Sequence, residues 1–340
     1  MEILAEFLAT LIRQLQTPTL SFLLGGMLLA ALGSRFEIPD ALYRFIVAVL
    51  LLKIGLGAGI AIRGASFTDL AAPALAAMVL GVAIVLLGRL TMARLPGLKA
   101  EDGIATAGLF GAVSASTLAA AMVMMESDSI AFEAWVPALY PFMDIPALLT
   151  AIVLAQLLRK RAPAEGGAAP APVPVRQILG GLIADSLRGA ALSALLLGLL
   201  LGLLARPEQV YSSFYEPLFR GFLSILMLIM GMEAWSRLAE LRKVAHVYAI
   251  YGLVGPVVHG LMGFALGYVV HLMTGFSPGG VVLMAVMASS SSDISGPPTL
   301  RAAIPSANPA AYIGSSTGIG TPVSMLLIPV WIALAQIVFT

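Results

Sequence analysis

Ser289-Ser290-Ser291-Ser292-Asp293-Ile294-Ser295-Gly296-Pro297-Pro298 interrupts an apolar stretch near the C-terminus. Hydroxyls, a carboxylate and a proline pair are foreign to a plain membrane-crossing helix. Lipid offers no hydrogen-bond partner, so irregular backbone and an ionisable side chain survive at membrane depth only where they line a cavity within protein. The run is therefore expected to floor a site for a small hydrophilic solute or ion. A second patch, Phe110-Gly111-Ala112-Val113-Ser114-Ala115-Ser116-Thr117, occupies the corresponding place in the first half. Interrupted apolar segments in matching halves point to the binding site of a transporter.

The composition agrees. Hydrophobic residues make up 59% of 340 and charged ones 11%, and the mean hydropathy is +0.98, values that give a polytopic membrane protein rather than a soluble domain. A net charge of +1 leaves no basic field for nucleic acid. The absence of cysteine removes disulfides, cysteine-ligated zinc and iron–sulfur clusters. His246, His259 and His271 are too scattered for a His-rich metal site. No basic leader with a small-residue cleavage site precedes the first apolar segment, which is read as a retained span.

At about 20 apolar residues per crossing, the sequence divides into ten spans near 17–33, 39–62, 68–94, 100–124, 132–158, 178–204, 214–237, 244–272, 278–300 and 307–339. The Ala/Pro/Gly-rich stretch after Arg159-Lys160-Arg161 reads as a flexible linker over 159–177, separating residues 1–158 from 178–340. The halves align. Tyr43-Arg44-Phe45 matches Phe219-Arg220-Gly221, Gly55 matches Gly231 and Pro146 matches Pro322, each 176 residues apart. Gly103 matches Gly280 at 177, and Leu20-Ser21 matches Leu192-Ser193 at 172. Five spans per copy is an odd number, so the two copies enter the membrane in opposite directions. Arg35, Arg94, Lys99, Arg159, Lys160, Arg161, Arg176, Arg242, Lys243 and Arg301 fall in alternate connections, while the opposite set holds little beyond Arg13, Arg63 and Arg206. The positive-inside rule then puts the linker in the cytoplasm and both termini outside. The expected fold is an all-α membrane protein of ten transmembrane helices in a 5+5 inverted-topology repeat, with broken helices 4 and 9 at the centre.

Three runs resemble the cyanobacterial sodium-dependent bicarbonate transporter family, SbtA. They are Leu139-Tyr140-Pro141-Phe142-Met143-Asp144-Ile145-Pro146-Ala147, the segment from Leu218-Phe219-Arg220-Gly221 to Gly231-Met232-Glu233-Ala234-Trp235-Ser236-Arg237, and Ser290 to Arg301. The likeness extends from Gln16 to the last span. It implies an NhaA/ASBT-like fold in which a core domain (68–158 and 244–339) moves against a gate domain (1–62 and 178–237). It implies sodium-coupled bicarbonate uptake by alternating access in a bacterial plasma membrane, serving inorganic carbon concentration. It also implies a homotrimer and a PII-like cytoplasmic regulator. The linker is shorter and poorer in charge than the family pattern, which bears on regulation rather than transport.

The residues carry a matching chemistry. A planar anion suits the backbone N–H groups at the start of a half-helix, where small residues permit close approach. Phe110, Gly111 and Ala112 in the first patch and Ile294, Ser295 and Gly296 in the second are the candidate bicarbonate residues, with Pro297 suited to a first helical turn. Sodium is a hard cation that favours oxygen ligands. Ser114, Ser116, Thr117, Ser291, Ser292 and Asp293 supply them, with Asp144 as a further candidate. A cation beside the anion offsets its charge in a low dielectric, which couples the two ions.

Other readings of the same residues stand beside this one. Serine and glycine also serve close helix packing in membranes, the default for Gly55-Leu56-Gly57-Ala58-Gly59. Lys53, Glu233, Arg44 and Arg220 read as interfacial or ion-pair groups. Gly314-Ser315-Ser316-Thr317-Gly318 satisfies the serine hydrolase pattern G-x-S-x-G, with His259 as its base, but lacks the strand-to-helix setting of a nucleophile elbow. A carrier of another small anion and a sodium/proton exchanger of the same architecture are the nearer alternatives. Composition and spacing alone stop at an ion-coupled transporter of a small anion.

Overall fold

The computed structural model describes residues 16–95, 97–161, 190–241 and 246–339, and every regular element among them is helical. The main helices are α1 Pro18–Ala31, α2 Asp40–Ile62, α3 Phe67–Thr91, α4 Ala100–Gly111, α5 Ala115–Ser127 and α6 Tyr140–Arg161. They continue with α7 Ala190–Leu204, α8 Glu216–Leu241, α9 His246–Thr274, α10 Pro278–Ser289, α11 Gly296–Ala303, α12 Pro309–Ile313 and α13 Thr321–Val338. Arg13, the linker from 162 onward with Arg176, residues 178–189 of the expected sixth span, and Arg242 with Lys243 lie outside the described residues.

Seven stretches among the described residues are long and apolar enough to cross a membrane. Three further apolar helices are shorter: Pro18–Ala31, Leu192–Leu204 and Pro278–Ser289. The expected sixth span begins outside the described residues, and the expected ninth stops at Ser289 because the chain there leaves helical geometry.

Helix starts follow the side chains. The Ser114 hydroxyl accepts from Thr117 N–H at 3.1 Å, Ser277 from Gly280 N–H at 2.9 Å, and the Asn308 side chain from Ala310 N–H at 3.1 Å. Proline occupies the first turn of α1, α10, α11 and α12, where its missing N–H costs nothing. Two of these starts are held from a distance by carboxylates. Asp102 accepts from Asn308 N–H at 2.7 Å, and Glu133 accepts from both the N–H and the hydroxyl of Ser277 at 2.7 Å.

Helix pairs close through glycine. A Cβ on Gly55 would lie 2.1 Å from Leu195 O, and one on Gly59 2.2 Å from Leu199 O, so α2 and α7 touch backbone to backbone. The pair α1 and α8 does the same, with Gly26 at 2.1 Å from Leu228 O and Gly231 at 2.0 Å from Leu23 O. The glycine stripe 55–59 is thus a packing surface. Burial is graded in the way a membrane protein requires. The apolar window within Ala100–Ser127 is wholly buried, whereas those of Thr68–Arg94, Glu208–Ser236 and His246–Thr274 are 39–44% buried. Leu75, Val79, Leu200, Ile250 and Leu261 expose apolar side chains on the outer helices.

Replacing Gly231 by Leu forces α1 away from α8 and is expected to lower thermal stability by at least about 1–3 kcal/mol. Gly221 on the same helix has nothing within 4 Å of its Cβ position, and Gly221→Leu is expected to be nearly neutral. Thermal melting and monodispersity of the purified variants check the contrast.

Candidate ion and anion site at a helix crossing

Helix α4 ends at Gly111 and α5 begins at Ala115, leaving 112–114 outside helical geometry; α10 ends at Ser289 and α11 begins at Gly296, leaving 290–295. The two irregular segments meet and satisfy each other. Ser114 N–H donates to the Ser290 hydroxyl at 3.0 Å, and Ser292 N–H donates to Leu109 O at 2.8 Å. Val113 N–H donates to Asp144 Oδ1 at 3.1 Å. Freed backbone groups that lipid would leave unpaired are thereby paired within protein.

Asp293 lies against this crossing. Its Oδ2 accepts from the Ser114 hydroxyl at 3.0 Å and from the Ser116 hydroxyl, while Oδ1 is buried without a partner among the described residues. Ser114 also accepts from the Thr117 hydroxyl at 2.9 Å. One carboxylate and three hydroxyls from facing segments form an oxygen-rich cluster with unspent acceptor capacity, the donor set a hard cation takes. Asp144 is a second buried carboxylate nearby: it is 1% exposed and its Oδ2 has no partner among the described residues.

Of the candidate sodium residues, Ser114, Ser116, Thr117 and Asp293 come together. Ser291 and Ser292 do not point their hydroxyls into the cluster. The Ser291 hydroxyl contacts Ser316 O and the Thr321 hydroxyl, each at 3.4 Å, and the Ser292 hydroxyl accepts from Gly296 N–H at 2.8 Å. The candidate anion residues divide as well. Ile294 and Ser295 line a cavity of about 770 Å³ together with Tyr43, Arg44, Glu233 and Asp293. Gly111 and Ala112 close the carboxyl end of α4 rather than open a new helix, and Ala112 N–H is spent on Gly108 O at 3.2 Å. The expectation of free N–H groups there is corrected: the amino start of the second half-helix falls at Ser114 to Thr117 instead. Gly296 does start a helix, yet its N–H is taken by Ser292. Phe110 is fully buried with its ring 5.0 Å from that of Tyr251 and 6.0 Å from His259, outside the residues lining the cavity.

Bulky substitutions at these glycines would report packing rather than ligand sterics. A Cβ on Gly111 would meet Val85 at 2.6 Å and Gly81 O at 2.8 Å, and one on Gly296 would meet Leu109 at 2.6 Å.

The serine hydrolase pattern resolves into other contacts. Ser316 donates to Ser292 O at 3.3 Å within a wide helical turn over Gly314–Gly320, and His259 faces the Tyr251 hydroxyl at 3.4 Å. No hydrogen bond joins His259 to Ser316 among the described residues.

Sequence reasoning missed Ser290, Tyr140 and Leu109 O. Ser290 stands 176 residues from the group it bonds, the offset at which the two halves of the sequence align, and that offset was the signal available. Tyr140, whose hydroxyl is 3.2 Å from that of Ser295, announced itself only as part of a motif.

Asp144→Ala leaves Val113 N–H buried and unpaired and is expected to cost about 1–3 kcal/mol of stability. Asp144→Asn keeps the acceptor and is expected to retain most of it. Melting curves of the two purified variants separate these outcomes.

A search of curated proteins finds no match to this chain. The family model of the Na+-dependent bicarbonate transporter superfamily does match, over residues 18–336. With almost the whole chain covered and an oxygen-lined crossing buried among apolar helices, the protein belongs to the Na+-dependent bicarbonate transporter superfamily.

Proposed function

We propose that this chain takes up bicarbonate together with sodium by alternating access. The observation that carries the reading is the Asp293–Ser114–Ser116 cluster, with its free carboxylate oxygen, where two interrupted helix segments meet beside a cavity. Sodium sits among Ser114, Ser116, Thr117 and Asp293, with Ser291, Ser292 and Asp144 able to join if the irregular segments rearrange. Bicarbonate lies next to it in the cavity, against Ile294 and Ser295, with Gly296, Phe110, Gly111 and Ala112 reaching it only if the irregular segments rearrange. The cation offsets the anion's charge, so each ion binds poorly without the other.

A 5+5 inverted repeat of ten spans is part of the proposal, and reciprocal contacts support it. Asp102 holds the start of α12 at Asn308, while Glu133 holds the start of α10 at Ser277; 102 and 277 are 175 residues apart, as are 133 and 308. The α2/α7 pair through Gly55 and Gly202 maps onto the α8/α1 pair through Gly231 and Gly26 at an offset of 176. A contact between two elements recurs between their repeat partners, as a two-fold axis in the membrane plane demands. Helices α1, α2, α7 and α8 then form the gate, and α3–α6 with α9–α13 form the core. Charge asymmetry sets the linker in the cytoplasm and both termini outside. The likeness to the family implies a plasma-membrane homotrimer and a PII-like regulator on the cytoplasmic face.

In proteoliposomes with an inward sodium gradient, labelled bicarbonate is expected to enter and labelled acetate or formate is not. Uptake of a small carboxylate instead would favour a different anion, and sodium-driven proton movement without bicarbonate would favour an exchanger. Asp293→Asn keeps the shape and one acceptor oxygen but loses the charge, and is expected to lower uptake about a hundredfold in protein that still inserts and purifies normally. Unchanged sodium dependence in that variant would remove Asp293 from the ion site.

A further inference from the structure

A second cavity, of about 730 Å³, lies at the other end of α2. Tyr43 and Arg44 line the Asp293 cavity, whereas Lys53, Ile54, Gly57 and Ala61 line this one. At about 1.5 Å per residue, the two cavities open toward opposite ends of the helix. A narrow apolar gap separates them, formed by Leu50, Ile54, Ala119, Leu226 and Ile294 among others. Ile294 faces the gap and the first cavity, and Ile54 faces the gap and the second. The two cavities therefore adjoin the gap in series, sharing Ile294 and Ile54, and Ser116 of the serine–aspartate crossing lines the gap between them.

Lys53 is the anomaly in the second cavity. It is 6% exposed, yet no carboxylate lies within ion-pair distance of it among the described residues. Its ammonium rests 4.0 Å from the ring centre of Phe219 and 5.7 Å from that of Tyr211. Ring faces attract a cation, but a buried charge without a hydrogen-bonded counterion still costs several kcal/mol. Glu126 and Glu216 act on Lys53 only at longer range, and the two carboxylates that share its cavity have arginine neighbours, Glu208 paired with Arg63 and Glu126 3.8 Å from Arg220. A cation kept inside a membrane span at that cost, at the wall of a cavity large enough for a solvated ion, marks an anion's place.

We infer that Lys53 and the cavity it lines form an anion-capture site, which holds a small monovalent anion before it passes Ile54 and Ile294 to the crossing. The inference rests on the transport reading above and, through the proposed sidedness, places the capture site on the outer face. It gives the anion a first station at Lys53, apart from the Asp293 cluster proposed for sodium.

The test compares Lys53→Gln and Lys53→Arg with the unaltered chain in oriented proteoliposomes. Lys53→Gln is expected to raise the KM for bicarbonate about tenfold when bicarbonate is supplied from the Lys53 face. The KM from the opposite face and kcat should stay within about twofold, and Lys53→Arg should restore most of the affinity. Raising ionic strength should weaken capture by the unaltered chain and leave Lys53→Gln nearly flat. Equal KM values from the Lys53 face, or an equal loss from both faces, would overturn the inference. A binding measurement separates this failure from that of the transport reading. In purified Asp293→Asn protein at constant ionic strength, bicarbonate should still raise the melting temperature, and adding Lys53→Gln should abolish the shift. No bicarbonate shift in Asp293→Asn would overturn the capture site even if transport stands. A shift that depends on Lys53 would sustain it even if the transported ion proves to be another anion.

Discussion

A backbone that leaves helical geometry among apolar helices must find its hydrogen bonds inside the protein, and that requirement organises this structure. Residues 112–114 and 290–295 meet it by bonding each other, Ser114 N–H to Ser290 and Ser292 N–H to Leu109 O. Neither interruption is affordable alone. The full burial of the apolar window within Ala100–Ser127 follows, since irregular backbone cannot face lipid. Glycine and alanine on the surrounding helices follow as well, because the crossing must be enclosed at close range.

The same economy explains the carboxylates. Asp144 gives one oxygen to Val113 N–H and Asp293 one to two serine hydroxyls, and each keeps one oxygen without a partner among the described residues. Asp102 and Glu133, by contrast, take up N–H groups at helix starts. Two acids thus fasten the scaffold and two hold capacity in reserve at the crossing. A buried carboxylate with an unused oxygen is costly in a finished structure, which is why these two acids carry the proposed cation site.

Charge is also distributed along the route. Asp293, Glu233 and Asp40 with Arg44 line one cavity; Lys53, Glu126 and Glu208 line the other. Between them the chain is apolar, and Leu50, Ile54, Leu226 and Ile294 would charge a bare ion heavily for passage. In the proposed transport cycle, movement of the irregular segment that carries Ile294 relative to the helix that carries Ile54 would open one side and close the other.

The sequence by itself determined the helical membrane class, the positions of the apolar segments and the two polar interruptions. Hydropathy and helix-breaking chemistry are local properties of the chain, so they are legible residue by residue. It also determined that Ser114, Ser116, Thr117 and Asp293 were worth singling out, because hydroxyls and a carboxylate amid apolar residues are conspicuous. Tertiary structure alone decided which hydroxyls face one another. Ser291 and Ser292 are indistinguishable from Ser290 by composition, yet backbone direction over 290–295 sends them to Thr321 and Gly296 instead. It alone moved the amino start of the half-helix from Gly111 to Ser114, a shift set by where capping geometry and the crossing contacts coincide. Lys53 shows the limit most plainly. As a letter in an apolar run it reads as an interfacial or ion-pair charge; only the folding of Phe219 and Tyr211 over it, with no salt bridge to it among the described residues, reveals a buried cation facing a cavity. Long-range packing carries that information, and no local pattern encodes it.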